Sequence, residues 1–257
     1  VEKFKVLASK FKGADDKEEE RTPRAKEDPV VTAKKEALEM RVSVQSVARL
    51  CCLLNTLSLL RDELPALERH IQASRRVQGG RHVQDAEGGW LSGLFDGAYQ
   101  TLDACIGKAA DYMACKVVFW DLRATFIEGL YRGGVMRGCK VDAVVAELDE
   151  ALGGVMEMAV PGLHGRCAQA LLRAVAQGWM RVVLDGGPSR LFIQRDAELL
   201  EDDLAAIKDF FLADGEGLSQ AEVEEAAAQA SGVLSLMGLE TQLLVDNHRE
   251  AEERAAR

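Results

Sequence analysis

The chain has 257 residues and a formal net charge of -10, long enough to bury a large core as one elongated domain or two compact ones. Hydrophobic residues make up 47%, charged residues 29% and aromatics only 5%, and with Ala, Leu, Glu and Arg abundant this balance favours helix over sheet. From Asp196 onward sixteen acids face four bases, which argues against nucleic acid as the main partner.

Residues 1–12, VEKFKVLASKFK, place Phe4, Leu7 and Phe11 on one helical face with Lys3, Lys5, Lys10 and Lys12 around it. The pattern reads as the end of an amphipathic helix, belonging to an upstream part of the same rod or lying on an anionic membrane. The chain opens on Val1, as an excised piece of a longer protein would. Residues 13–35 carry charges, Pro23 and Pro29, and almost no apolar residue before Val30 and Val31; too little surface is available to bury, so a flexible charged loop is expected.

From 36 the helical period takes over. Leu50, Leu53, Leu54, Leu57, Leu60, Leu64, Leu67 and Ile71 recur at threes and fours, a long core helix. Pro65 lies inside it, where its ring meets the carbonyl of residue 61, so a bend or two abutting helices are expected. Residues 74–89, with two Gly-Gly pairs, read as a loop. Residues 90–131 are too long for one short helix, and a break is expected near Asp111 or Lys116.

A turn at 133–140 precedes a short helix over 141–152 with Val144, Val145 and Leu148 inward. Another helix spans about 154–184, interrupted or entered near Pro161-Gly162. After Gly186-Gly187-Pro188, Leu200, Leu204, Ile207 and Phe211 share one face of the next helix. Gly215-Glu216-Gly217 ends it as a glycine left-handed turn. Ser219 and Glu222 form a capping box for a last helix through Val223, Val233, Leu236, Leu243 and Leu244, and the polar tail frays.

The six cysteines, Cys51, Cys52, Cys105, Cys115, Cys139 and Cys167, include no CxxC and are expected as reduced core thiols. No apolar run reaches membrane-spanning length and no signal peptide is evident, so a cytoplasmic location is expected, peripheral to the plasma membrane or endosomal vesicles.

Catalytic constellations are weak. His70, His82, His164 and His248 lie far apart, form no HExxH and pair with no Cys at ligand spacing; surface or capping roles fit them better. Asp185-Gly186-Gly187-Pro188-Ser189-Arg190 lacks the Lys-Ser/Thr of a phosphate loop and reads as a corner between helices. Asp214-Gly215-Glu216-Gly217 resembles the middle of an EF-hand loop, yet alignment on Gly217 puts Leu212 first and Val223 twelfth, which removes two ligands. Glu201, Asp202 and Asp203 read as a solvated face. Cys51 and Cys52 point about 100° apart on a helix and are not a redox pair. No catalytic, metal or cofactor-binding residue is expected, and none is assigned.

Four stretches carry a family resemblance: LCCLLNTLSLLRDELPALERHI (50–71), KVVFWDLRATFIEGLYRG (116–133), DAVVAELDEAL (142–152) and VVLDGGPSRLFIQRDAELLEDDLAAIKDFFLADGEGL (182–218). Over about 44 to 249 the chain resembles the C-terminal part of the MUN domain of the Munc-thirteen family, in particular the plant branch known for proton-pump translocation control. The resemblance implies an all-α fold, an elongated stack of antiparallel helical bundles of the vesicle-tethering type. Residues 36–132 and 133–257 are then two bundles akin to the first and second Munc-homology regions.

By the same resemblance the expected function is non-enzymatic: promotion of vesicle docking, priming and exocytosis at the plasma membrane through syntaxin-type SNARE proteins or exocyst-type tether subunits, including delivery of plasma-membrane proton pumps. No cofactor is implied. The alternative is a structural rod segment that spaces other domains and has no partner site of its own. The plant pattern has a hydroxyl residue where Ile193 stands, three before Asp196, so loss of a capping box and a looser helix start are expected there. No partner-contacting residue follows from the resemblance.

Overall fold

The structure, a computed structural model, describes residues 29–78, 93, 95–135 and 140–239, and residues 243, 245, 246, 248, 249, 252 and 254 near the end. Residues 1–12 and most of 13–35 and 74–89, with His82 and Cys139, lie outside the described residues. The helices are α1 (Pro29–Gln78), α2 (Asp96–Lys116), α3 (Val141–Met158), α4 (His164–Leu184), α5 (Asp196–Leu212) and α6 (Gln220–Met237). Among the described residues there is no β-strand, as the composition leads one to expect.

The centre is α4. Its buried residues, among them Leu171, Leu172, Val175, Trp179 and Val182, leave little polar face, the signature of a helix packed on several sides. It packs against α2, α3 and α6 and against the segment following α2, while α1 packs on α2 and α3, and α5 on α3 and α6. One apolar cluster runs from Cys51 to Leu234, so the core is continuous through residues on both sides of 132.

Polar contacts fix how α1 sits. Asn55 Nδ2 donates to the Met158 carbonyl at 2.9 Å, and Val160 N–H donates to Asn55 Oδ1 at 2.9 Å, so one amide holds the α3–α4 corner as a backbone strand would. Further along, Arg61 and Arg166 both donate to Asp103 Oδ1, at 2.9 and 3.0 Å. The Arg61 bond is the main cause that holds the Asp103 carboxyl below the usual carboxylate range.

Several sequence expectations need correction. α1 begins at Pro29, inside the stretch expected as loop; proline is tolerated in a first turn, where its missing N–H has no helical partner anyway. Pro65 lies within one continuous α1 rather than between two helices. α3 runs through Gly153-Gly154 to Met158, because Leu152, Val155 and Met156 are buried there and packing outweighs the intrinsic cost of glycine. Of the cysteines described, only Cys51 and Cys167 are buried; Cys52, Cys105 and Cys115 are exposed.

The expected interruption near Pro161-Gly162 is a short 3-10 turn, Pro161–Leu163, that leads into α4. Leu200, Leu204, Ile207 and Phe211 are all buried on one face of α5. The capping box of α6 forms: Glu222 N–H donates to Ser219 Oγ, and Ser219 N–H donates to Glu222 Oε2 at 3.0 Å. In α6, however, the inward position is Leu234 rather than Val233, and Leu236 is exposed.

The turn after α5 differs in detail. Its left-handed cap is Ala213, with φ 45°, followed by Asp214 at 55° and Gly215 at 88°. Gly217 is required for another reason, since a Cβ there would run into the Phe211 carbonyl. At the start of α5 half of the capping box survives the loss of the hydroxyl, because Ile193 N–H donates to Asp196 Oδ2 at 2.9 Å.

Candidate functional site

The break expected near Lys116 takes an unusual form. α2 ends there and the chain continues in two π-helical turns, Val117–Asp121 and Arg123–Ile127, closed by Leu122 N–H to the Val117 carbonyl and Glu128 N–H to the Arg123 carbonyl, both 2.8 Å. Each wide turn accommodates one extra residue and so shifts the phase of everything beyond it by about 100°. Without them, α2 continued at about 100° per residue would place Trp120 between Ala109 and Met113 on the buried face and send Leu122 and Phe126 to solvent. The observed arrangement is the reverse. Trp120 is 62% exposed, while Leu122, Phe126 and Leu130 are buried.

The wide turns carry their own ion pairs. Lys116 Nζ lies 2.8 Å from Asp121 Oδ1 and Arg123 Nε 2.7 Å from Glu128 Oε1. Both pairs are five apart, the spacing that a π-turn stacks, whereas an α-helix stacks residues three or four apart. α4 closes over the inner side: a Cβ on Gly178 would meet Val118 Cγ1 at 3.0 Å, Phe126 Cε1 at 3.2 Å and Ile127 Cδ1 at 3.3 Å. The bare backbone of Gly178 is therefore what lets the widened segment approach.

Beyond the second wide turn Tyr131 adopts φ 58° and is buried, an uncommon conformation for a bulky residue. Its hydroxyl donates to Asp203 Oδ2 at 2.7 Å and accepts from Trp179 Nε1 at 3.2 Å, and its ring packs edge-on to Phe192. These contacts tie the segment to both α4 and α5. Burial, with the Asp203 carboxylate beside it, pushes the Tyr131 hydroxyl pKa up; burial also raises that of Asp203, to which Asp142 and Asp202 add repulsion.

The outward face that results holds Tyr112, Cys115 and Trp120, with Phe119 partly buried against the core. A phase estimate at about 100° per residue, corrected for the wide turn, puts Tyr112 and Trp120 on one side of the segment. Arg173 Nη2, 2.7 Å from Asp111 Oδ1, joins α4 to α2 nearby. Exposed aromatics carried on a rigid, core-anchored element are the residue type that dominates protein interfaces.

The residues weighed for chemistry do not converge. His164 Nε2 is 3.0 Å from the Ala159 carbonyl, His248 pairs with Glu252 at 3.5 Å, and His70 is exposed. Glu201 and Asp202 are exposed, but Asp203 turns inward to Tyr131, which corrects the reading of all three as a solvated face. Residues 185–190 form a corner with a 3-10 turn at Gly187–Ser189; Arg190 Nη2 donates to the Ile127 carbonyl at 2.7 Å and pins the corner to the second wide turn. Among the described residues no group of three or more His, Cys, Asp or Glu is placed to hold a metal.

An open groove of about 280 Å³ lies between α4 and α6, lined among others by Arg173, Gln177, Glu222 and Gln229. Two of its charged groups are engaged elsewhere, Arg173 with Asp111 and Glu222 in the Ser219 cap. Cys51 and Cys167 are buried thiols with raised pKa values, Cys167 to about 11 through burial and then the neighbouring Cys51. Burial of this kind makes a thiol inert rather than reactive.

Sequence reasoning passed over Trp120 and Tyr131. The signal that could have found the wide turns is the pair of opposite charges five apart, Lys116/Asp121 and Arg123/Glu128, in a helix whose apolar phase jumps between Val118 and Leu122.

Among the described residues no helix is long and apolar enough to cross a membrane. No solved structure matches the chain. A protein described as "Protein unc-13 homolog" from Arabidopsis thaliana is 32% identical over 222 residues, 83% of this chain and 20% of the relative. The chain thus spans about a fifth of the length of the curated relative it matches. A family model described as "PATROL1-like, TPR repeats" matches residues 2–257. With nearly every residue inside that match, the chain belongs to the PATROL1-like family, a Munc-thirteen-like branch.

Proposed function

We propose that this chain is a non-enzymatic membrane-trafficking module that binds a helical partner, a syntaxin-type SNARE bundle or an exocyst-type tether subunit, to promote vesicle docking, priming and exocytosis at the plasma membrane. Delivery of plasma-membrane proton pumps is the cargo route that the resemblance favours. The family supports a trafficking role. The observation that carries the binding reading is Trp120: the first wide turn moves a large aromatic from the core face to solvent, where it is 62% exposed. An amphipathic partner helix laying its apolar face across Trp120 and Tyr112 fits this surface.

The test is binding of a purified syntaxin-type bundle, and separately of a tether subunit, to the immobilised 257-residue chain. Saturable binding is expected, weakened at least about tenfold by Trp120→Ala, the loss of one strong aromatic anchor. Binding indifferent to Trp120→Ala would move the site elsewhere. No binding by this chain or by a longer protein that carries it would favour a spacer role for the segment.

A further inference from the structure

α1 turns a second face to solvent, on the side away from the core. Leu53, Leu59 and Leu60 are 47%, 61% and 52% exposed, whereas Cys51 and Leu54 are fully buried. At about 100° per residue those three leucines fall within about 60° of Thr56, and the buried pair lies about 140–160° round from it. Thr56 is itself exposed, and its hydroxyl donates to the Cys52 carbonyl at 2.8 Å. The centre of this face is therefore a small side chain whose polar group is already satisfied within its own helix. A second helix can approach there without stranding a donor.

The charges on the face are arranged symmetrically. Arg49 and Glu63 each stand seven residues from Thr56, about 10.5 Å along the axis, one on either side. Both are exposed, and neither has an ion-pair partner among the described residues. Turned end for end about Thr56, the same face sets Glu63 opposite Arg49 and Arg49 opposite Glu63. It also sets Leu53 against Leu59 and Cys52 against Leu60. A parallel alignment would instead bring Arg49 to Arg49 and Glu63 to Glu63, so charge selects the antiparallel one. A surface that complements itself under a half-turn is what a two-fold dimer requires.

From this arrangement we propose that α1 pairs with α1 of a second copy of the chain, antiparallel, with the two-fold axis at Thr56. An ion pair of Arg49 with Glu63 closes each end, and Leu53, Leu59 and Leu60 of both copies form the apolar centre. Met158 and Val160, 37% and 39% exposed, border the contact on the Leu59 side, because the Asn55 amide one turn before Leu59 holds their backbone. The pairing makes no use of Trp120.

Sedimentation equilibrium of the 257-residue chain tests this. A contact between single helices is smaller than a standard interface, so a Kd on the order of 10 μM is expected, with a mass approaching twice that of one chain at about 200 μM. Glu63→Arg and Arg49→Glu, both at exposed positions and both leaving the far-ultraviolet circular dichroism unchanged, are each expected to weaken the dimer at least about tenfold, because one substitution sets like charges together at both ends. An equimolar mixture of the two variants is expected to recover association, since every end then pairs an acid with a base. Leu60→Glu is expected to abolish the dimer and Trp120→Ala to leave it unchanged. A chain that stays monomeric throughout that concentration range overturns the proposal, as does a dimer indifferent to both charge reversals. Weakening by each reversal with no recovery on mixing overturns the antiparallel pairing. A dimer that Trp120→Ala dissociates and Leu60→Glu does not lies on the other face, and likewise overturns it.

Discussion

The wide-turn segment from Val117 to Val135 and the α5–α6 hairpin are built on opposite terms. In the hairpin, Leu200, Leu204, Ile207 and Phe211 keep one helical phase and Ser219 with Glu222 caps the next helix, so local rules produce both helices, and only the turn between them, left-handed at Ala213 and Asp214, departs from them. In the wide-turn segment the phase is broken twice and Tyr131 takes a left-handed backbone. Those departures persist because α4 and α5 hold them, through Gly178, Trp179 and Asp203. A regular element is stable by its own pattern, whereas an irregular one marks where neighbours, and the surface it presents, set the terms.

The sharpest way to break the contrast is Trp179→Ala. The side chain is fully buried and supports the irregular segment, so chemical denaturation is expected to show a loss of about 3–5 kcal/mol. A loss under about 1 kcal/mol would mean that the wide turns do not depend on α4. Next in size, Tyr131→Phe leaves Asp203 and Trp179 Nε1 each short of a hydrogen bond and is expected to cost about 1–3 kcal/mol, read by the urea midpoint. A neutral result would show that water replaces the hydroxyl.

In the hairpin, Ser219→Ala is expected to cost about 1 kcal/mol in thermal or urea unfolding, an effect confined to one helix end. The pH dependence of Asp203 is smaller. Its folded pKa lies above the ordinary value, so the native state holds the proton more tightly than the unfolded state does. Its contribution to stability is therefore full below about 3.9 and is lost as pH rises through the folded value. The stability of the native chain relative to Asp203→Asn should fall over that interval; a rise would mean that the Tyr131 bond outweighs burial. Smallest of all, Trp120→Ala should change stability by no more than about 0.5 kcal/mol. A large loss would make Trp120 a structural residue and remove the reason to regard its face as a binding surface.

The helical class, the inward face of α5 and the Ser219–Glu222 cap were legible because each depends on residues within a few positions of one another. The family was legible too, through the run from Val182 to Leu218. The candidate surface was not: a constant phase of about 100° carried on from α2 puts Trp120 on the buried face, and the wide turn at Val117–Asp121 breaks that phase. Asp203 looked like part of an acid run because its partner, Tyr131, is seventy-two positions away.

The amino-acid order by itself determined the helical class, the inward face of α5 and the cap of α6, since backbone sterics and the hydrophobic period act locally. It did not decide which leucines of α1 turn inward, where Leu54 is buried but Leu53, Leu60 and Leu67 are about half exposed. Only the tertiary structure decided where α1 is pinned, by Asn55 and Asp103, and that Trp120 points outward while Leu122, Phe126 and Leu130 point in. That choice rests on how closely Gly178 lets α4 approach and on what the buried Tyr131 hydroxyl finds there, and side-chain packing between segments far apart in sequence is not written in the period of either one.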